Sequence, residues 1–297
     1  YKKDFNKAYQ INLEDNVFPE ILGRVCSRPC EDSCRHSKDN NGESVAICFA
    51  KRSSGDFKSK TFKVLPYAKN SKKKIAIIGS GVAGLTCARE LKRFGHSIEI
   101  FEKHKSPGGM LNQGIPIFRL PRKVIDKEIK QITDMGIKIH CRHAVETQED
   151  LNQLSKNFDA VVLAMGTLKP NKIDRNFSAC NDVEDGLDFL LRTNEYKSKI
   201  VGKNVVIIGG GYTAMDCSRV ALRLGAKTVK TFYRRDIGDL VILPGELEEL
   251  ENEKLYRECS VEYDSFSNDI SKKSNEVNFS DLSLIIENMK KFFKKQG

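Results

Sequence analysis

Residues 75–84 read Ile75-Ala76-Ile77-Ile78-Gly79-Ser80-Gly81-Val82-Ala83-Gly84, a short apolar run followed directly by a glycine-rich turn. Four consecutive apolar residues between turn signals predict a buried strand. Residues 82–94 have helical spacing, and residues 97–101 alternate as a second strand. This strand, helix, strand order predicts a βαβ unit, and such units build parallel sheets.

The same order recurs later in the chain, with a strand at 205–208, a helix at 214–224 and a strand at 228–233. Between the two copies, residues 122–135 predict an amphipathic helix and residues 160–164 a further buried strand. The predicted fold class is therefore α/β, with two Rossmann-like dinucleotide-binding domains built on parallel sheets. A small helical, cysteine-rich domain precedes them.

Each glycine of the first turn has a predicted task. Gly79 permits the tight turn, Gly81 lets the backbone approach a pyrophosphate, and Gly84 lets helix and strand pack closely. Glu102 lies at the end of the second strand, 18 residues past Gly84, where an acid binds ribose hydroxyls. Strand, helix, second strand and acid in register predict a dinucleotide site, against the alternative of an incidental glycine turn.

The second turn reads Gly209-Gly210-Gly211-Tyr212-Thr213-Ala214, with alanine in the third glycine position. Its second strand ends in Arg234 and Arg235 instead of an acid. Paired guanidinium groups suit the 2′-phosphate of NADP, so we expect NADPH here, with an exposed strand-end pair as the alternative. One site ending in Glu and one in Arg-Arg suggests a bound flavin and a transient nicotinamide.

Charge and hydropathy exclude several classes. No apolar run approaches the roughly 20 residues of a membrane-spanning helix. The net charge of +10 comes from a lysine-rich stretch at 58–74 and a basic tail at 287–297, which contribute +7 and +3. The remainder is neutral, so we predict no nucleic-acid partner and no membrane partner.

Nine cysteines without a secretory signal favour a reducing, cytoplasmic location over a disulfide framework. Cys26, Cys30 and Cys34 have C-x3-C-x3-C spacing, which predicts iron–sulfur or zinc ligation. Cys48 is a candidate fourth ligand or a buried helix residue.

Several stretches together resemble the small (beta) subunit of glutamate synthase and its relatives, which include the N-terminal part of dihydropyrimidine dehydrogenase. The resemblance covers about residues 5–250 and rests on 23–26 with 29–31, on 44–47, on both glycine turns, on 164–166 and on 233–235. Its most specific part is Gly108-Gly109-Met110-Leu111 continuing through Gly114-Ile115-Pro116 to Phe118-Arg119-Leu120-Pro121.

The resemblance implies electron transfer from NADPH through FAD and [4Fe–4S] clusters to a glutamate synthase large-subunit-type partner or fused domain. Cys26, Cys30 and Cys34 would be cluster ligands, an incomplete set in this chain. The candidate cofactor-binding residues are Gly79, Gly81, Ala83, Gly84, Glu102, Gly109, Met110, Leu111, Gly114, Ile115, Arg119, Gly166, Gly209, Gly211, Tyr212, Thr213, Ala214, Arg234 and Arg235.

Three departures from the family pattern shape the expectations. The family's further cysteines would precede Tyr1, Tyr212 stands where Asn is usual, and the resemblance fades after Glu249. We therefore expect a fragment of a longer protein. The predicted divisions are a helical iron–sulfur domain (1–57), a lysine-rich linker (58–72), an FAD domain (73–170), an incomplete NAD(P) domain (171–263) and a tail with an amphipathic helix (264–297).

Two alternatives to the electron-transfer oxidoreductase stay open at this point. The missing C-terminal strands would suit an inactive remnant that serves as an interaction or assembly module. The three cysteines and the net charge of +10 would suit a zinc-containing nucleic-acid binder.

Overall fold

A computed structural model describes residues 3–167, 182–196, 204–233, 240, 242 and 259–263. Its helices are α1 (Phe5–Asp15), α2 (Pro19–Val25), α3 (Pro29–Asp32), α4 (Arg35–Lys38), α5 (Ile47–Phe57), α6 (Val82–Arg93), α7 (Met110–Gln113), α8 (Arg122–Thr133), α9 (Gln148–Asn157), α10 (Gly186–Tyr196) and α11 (Tyr212–Arg223). Its strands are β1 (Lys74–Ile78), β2 (Ser97–Glu102), β3 (Lys138–Cys141), β4 (Ala160–Leu163), β5 (Asn204–Ile208), β6 (Thr228–Tyr233) and β7 (Cys259–Tyr263). The helix predicted in the tail lies outside the described residues.

The first sheet has the strand order β3-β2-β1-β4, and all its neighbouring strands are parallel. The central strand β1 pairs Ile77 with Ile100 on one side and with Val162 on the other. Ile77 and Ile100 are fully buried, as expected for a strand covered on both faces. The second sheet, β5-β6-β7, is also parallel. The predicted α/β class with two parallel Rossmann-like units is confirmed.

The N-terminal helices share a core with the first Rossmann unit. Phe18 and Ile21, at the start of α2, belong to the same buried cluster as Leu85 of α6 and Ile125 of α8. The helical part is therefore seated directly on α6 and α8 by apolar packing.

Most of the lysine-rich segment after α5 is exposed, but its first residue, Lys58, is not solvated as a surface linker would be. The side chain of Lys58 is only 5% exposed and forms an ion pair with Glu20, and its Nζ lies 3.7 Å from the ring centroid of Tyr9. Further along, Tyr67 packs against Phe94 at a ring-centroid distance of 5.5 Å. Both ends of this segment are thus attached to the folded body.

Candidate functional site

The first glycine turn joins β1 to α6 at the carboxyl end of the sheet. Gly79 has φ +100°, and a Cβ there would lie 2.4 Å from the carbonyl oxygen of Ala164. A Cβ on Gly84 would lie 2.0 Å from the carbonyl oxygen of Gly79. Gly81, in contrast, has open space on its Cβ side. The turn is therefore tightly packed at its first and third glycines and open at the second, where a pyrophosphate approaches.

Glu102 ends β2 beside this turn and is 5% exposed. Its Oε2 accepts hydrogen bonds from the backbone N–H and the hydroxyl of Ser80, at 2.9 and 2.5 Å. Its Oε1 accepts from the backbone N–H of His104 at 2.9 Å. An ionised carboxylate has about four lone-pair sites, so three internal bonds leave capacity for one further donor, such as a ribose hydroxyl.

The segment of residues 108–121 lies against the first turn. The Gly108 N–H donates to the Ser80 carbonyl at 2.9 Å, and a Cβ on Gly109 would lie 2.8 Å from the Cα of Gly81. In α7, Met110 is 42% exposed and Leu111 is buried. The segment therefore forms one wall beside the open glycine, and Gly114 and Ile115 continue it.

Two more candidates border the same turn. Ala83 is exposed in the first turn of α6. Gly166, two residues after Ala164, has φ +67° and open space on its Cβ side. Apart from Arg119, the candidate residues of the first unit therefore lie around one site, the cradle. It consists of the first turn, Glu102, residues 109–115 and Gly166.

A buried polar group supports the fit of a cofactor to this cradle. Gln113, the last residue of α7, is 4% exposed, and neither atom of its side-chain amide has a hydrogen-bond partner among the residues that the structure describes. A buried unpaired amide costs about 1–3 kcal/mol, which a polar ligand could offset. The open glycine, the remaining acceptor capacity of Glu102 and this amide together fit a dinucleotide such as FAD. Gln113 is not among the residues predicted from the sequence, because an amide among turn residues carries no signal of its burial.

The second turn repeats the backbone arrangement of the first. The Gly209 N–H donates to the Phe232 carbonyl at 2.9 Å, just as the Gly79 N–H donates to the Phe101 carbonyl at 2.8 Å. Gly211 has open space on its Cβ side, as Gly81 does.

Tyr212 and Thr213 follow the second turn in the first helical turn of α11, with Ala214 buried behind them. The guanidinium of Arg119 lies 5.9 Å from the ring centroid of Tyr212. Arg234 and Arg235 lie outside the described residues.

Arg119 is oriented toward the second unit. Its Nη1 donates to both carboxylate oxygens of Asp216 in α11, at 2.8 and 2.7 Å. The two side chains are 10% and 7% exposed, so the pair is largely removed from water.

The three cysteines predicted as metal ligands follow one another on short elements. Cys26 directly follows α2, Cys30 lies exposed in α3, and Cys34 precedes α4. Within the described ranges, no three His, Cys, Asp or Glu side chains form a group that could hold a metal ion. In this arrangement the three thiols do not form a complete ligand set by themselves.

Two thiols of this region have shifted pKa values. Hydrogen bonds from the backbone at Val45, His36 and Ser37 lower the pKa of Cys34. Burial raises the pKa of Cys48, and the neighbouring Cys26 thiol adds to this rise. Cys48 therefore lies beside Cys26, as a buried helix residue in contact with one predicted ligand.

Taken together, the two units define a dinucleotide-binding protein of the two-Rossmann type, with one open glycine turn in each unit. The pyridine nucleotide-disulphide oxidoreductase family matches residues 73–258, and the chain belongs to this family. Residues 1–62 match a second family, dihydropyrimidine dehydrogenase domain II, 4Fe-4S cluster. These matches confirm the predicted resemblance and the predicted cofactors, FAD, NADPH and a [4Fe–4S] cluster.

Three relatives with different names are similar in sequence. The glutamate synthase [NADPH] small chain of Azospirillum brasilense is 33% identical over 246 residues, which is 77% of this chain and 51% of the relative. The NADPH-Fe(3+) oxidoreductase subunit beta of Geobacter sulfurreducens is 36% identical over 240 residues, 78% of this chain and 35% of the relative. The NADP(+)-dependent formate dehydrogenase subunit beta of Moorella thermoacetica is 34% identical over 278 residues, which is 84% of this chain and 39% of the relative.

Solved structures agree on the fold. A 2-naphthoyl-CoA reductase complex superposes with a TM-score of 0.54 at 25% identity, covering 66% of this chain and 29% of that one. FprA from Mycobacterium tuberculosis in complex with NADPH superposes with a TM-score of 0.53 at 21% identity, covering 60% of this chain and 47% of that one.

The chain spans between about a third and a half of the length of the curated relatives it matches. Among the helices that the structure describes, none is long and apolar enough to cross a membrane.

Proposed function

We propose that this chain is the nucleotide-binding part of an electron-transfer oxidoreductase that takes electrons from NADPH onto FAD and passes them to iron–sulfur centres and a partner. The observation that carries the proposal is the pair of open glycine turns, Gly81 and Gly211, each at the start of a helix behind a parallel strand. Two such turns in one chain suit two different dinucleotides.

The chain's own residues would bind and orient the two cofactors. Backbone N–H groups at the start of α6 would hold the FAD pyrophosphate, Glu102 would accept a ribose hydroxyl, and Gln113 would offer its buried amide to a polar group. The start of α11 would hold the phosphates of NADPH in the same way. When bound, FAD supplies the chemistry of accepting a hydride and releasing electrons.

We propose a glutamate synthase beta-type system, with a large-subunit-type partner or fused domain as the acceptor. The similarity to the glutamate synthase small chain supports this choice. The relatives named for iron(III) and formate chemistry have equal similarity, so the partner has to be identified by experiment. Copurification of a glutamate synthase large chain with the full-length protein is the expected result. Copurification of a different oxidoreductase subunit would overturn the choice.

A matched pair of variants tests the two sites separately. A Cβ at Gly81 or Gly211 meets no atom of the described residues within 4 Å, so alanine should leave the fold intact while blocking the phosphate. We expect Gly81→Ala to lose the yellow flavin band after gel filtration. We expect Gly211→Ala to keep flavin but to lose its bleaching by NADPH under anaerobic conditions. A parent protein without flavin, or with flavin that NADPH does not reduce, would contradict the proposal.

The choice of NADPH over NADH rests on Arg234 and Arg235. A 2′-phosphate accepts charged hydrogen bonds of about 1.5–3 kcal/mol each, and the free hydroxyl of NADH offers these residues little. Replacing both by Ala should weaken NADPH binding by at least about tenfold and leave NADH almost unchanged. Calorimetric titration at fixed ionic strength measures both. A parent that binds the two nucleotides equally, or a variant that loses both equally, refutes this assignment.

A further inference from the structure

One face of α11 contacts the family-specific segment 114–121 at successive positions. Asp216 accepts two hydrogen bonds from Arg119 of that segment, at 2.8 and 2.7 Å. The ring of Phe118 lies 4.5 Å from the guanidinium carbon of Arg219 and 3.9 Å from that of Arg223. Residues 216, 219 and 223 follow i, i+3, i+7 spacing, so they line one side of the helix.

The neighbouring helix α10 holds the beginning of the same segment. Asn194 donates from Nδ2 to the backbone carbonyls of Gln113 and Gly114, at 2.9 and 3.2 Å. A few residues earlier, the Gly108 N–H is bonded to Ser80 in the first glycine turn. One short stretch of chain therefore connects the first turn to α10 and to α11 of the second unit.

Energetically, the Arg119–Asp216 pair is the decisive contact. Both side chains are about nine-tenths buried, and removal of one partner of a buried pair leaves an uncompensated charge. Arg–carboxylate pairs also impose a direction, because the guanidinium is planar and its donors are fixed. The contact thus favours one orientation of α11 relative to the segment.

We propose that Phe118 and Arg119 are positioning residues that fix the second nucleotide unit against the first and so set how the nicotinamide meets the flavin. In this assignment, which rests on the proposed function, Arg119 acts through Asp216 and not by touching a cofactor. The helix that Arg119 orients begins at the second glycine turn, so a rotation of α11 would move the nicotinamide site relative to the FAD cradle.

The joint between segment 114–121 and α11 can be tested by hydrogen exchange on the full-length protein. The N–H groups of Arg119 and Leu120 both donate to the Pro116 carbonyl and report on the segment. Asp216→Asn should raise exchange in peptide 114–121 by about tenfold or more, the factor that corresponds to a lost charged hydrogen bond.

Glu184→Gln is the matched control, since Glu184 accepts two bonds from Arg192 at 2.9 and 2.8 Å in a more exposed pair. It should leave exchange in 114–121 unchanged. Unchanged exchange in Asp216→Asn would overturn the assignment. Phe118→Leu, which keeps an apolar side chain but removes the ring face, gives the same readout if Asp216→Asn fails to fold.

The positioning role is tested on the flavin-loaded full-length protein by comparing two reductants. In Asp216→Asn we expect at least about tenfold slower flavin reduction at saturating NADPH, with unchanged flavin content and an unchanged rate with dithionite. A merely structural defect would lower flavin content or slow both reductants, and either result would overturn positioning. If the parent is not reduced by NADPH, the proposed function fails, while the exchange experiment still decides whether the joint exists.

Discussion

At the scale of single residues, the cysteines of the chain differ in chemistry because their surroundings differ. Backbone hydrogen bonds lower the pKa of Cys34, whereas burial raises the pKa of Cys217 to about 12. The thiolate is both the nucleophile and the metal-binding form, so Cys34 is the better prepared ligand of the two.

This difference predicts an order of alkylation. In the native, cluster-free chain near neutral pH, iodoacetamide should label Cys34 well before Cys217, because labelling requires an accessible thiolate. Peptide mass spectrometry over a time course measures the order, and denaturant should abolish it. Native labelling of Cys217 at the same rate as Cys34 would contradict the different surroundings of the two thiols.

Residue pairs that lie far apart in the chain were beyond sequence reasoning. The segment containing Arg119 was recognised, and the resemblance implied flavin contact, but Asp216 lies 97 positions later. Lys58 was predicted to lie in a solvated linker, yet it is buried against Glu20. A charged residue's partner depends on how elements pack, and local spacing carries no record of that packing.

At the scale of elements, the sequence was informative because short apolar runs were bounded by glycine turns. The predicted strand at 75–78 is found as β1 (Lys74–Ile78), and the predicted helix at 122–135 as α8 (Arg122–Thr133). The sequence predicted that neighbouring strands are parallel but not their order. The order β3-β2-β1-β4 depends on which strands the crossover connections bring side by side. Local patterns thus predicted the elements. They did not predict that α2 packs into the Rossmann core, because that contact joins distant parts of the chain.

Substitution of Gly84 and of Gly81 in the first glycine turn should have different effects on the stability of the fold. In Gly84→Ala the new Cβ would lie 2.0 Å from the backbone oxygen of Gly79, so helix and strand must move apart. Overpacking of this kind costs about 1–3 kcal/mol. Thermal unfolding of the flavin-free chain should show a lower Tm for Gly84→Ala and almost no change for Gly81→Ala. Equal Tm values for these two variants would contradict the close packing described here.

At the scale of the whole molecule, a buried carboxylate holds the N-terminal helices on the first Rossmann unit. Glu128 of α8 accepts hydrogen bonds from the backbone N–H groups of Glu20 and Ile21, at 2.9 and 3.0 Å. N–H groups in the first turn of a helix have no partner within that helix. Here Glu128 of the first Rossmann unit accepts from two such groups of α2. Glu20 in turn pairs with Lys58 and Lys127. The N-terminal helices and the first Rossmann unit are thereby joined through an ionic network around the buried Glu20 as well as through an apolar core.

This joint should make stability depend on pH in a defined direction. Burial raises the pKa of Glu128 from 4.5 to about 7, against the lowering effect of its two backbone hydrogen bonds. Because the folded-state pKa lies above the unfolded value, the folded chain binds more protons than the unfolded chain between these two pH values. The contribution of Glu128 to stability is therefore fully present at low pH and is lost as pH rises to about 7, with a slope of up to about 1.4 kcal/mol per pH unit.

The variant Glu128→Gln tests this dependence because its side chain cannot titrate. The unfolding free energy of the parent minus that of the variant should fall across this pH window and stay constant at higher pH. Urea unfolding of both proteins from about pH 5 to pH 8 measures that difference, in which the titration of all shared groups cancels. A difference that does not change with pH would show that the pKa of Glu128 is the same in the folded and unfolded chain, and would contradict the raised pKa that burial gives it.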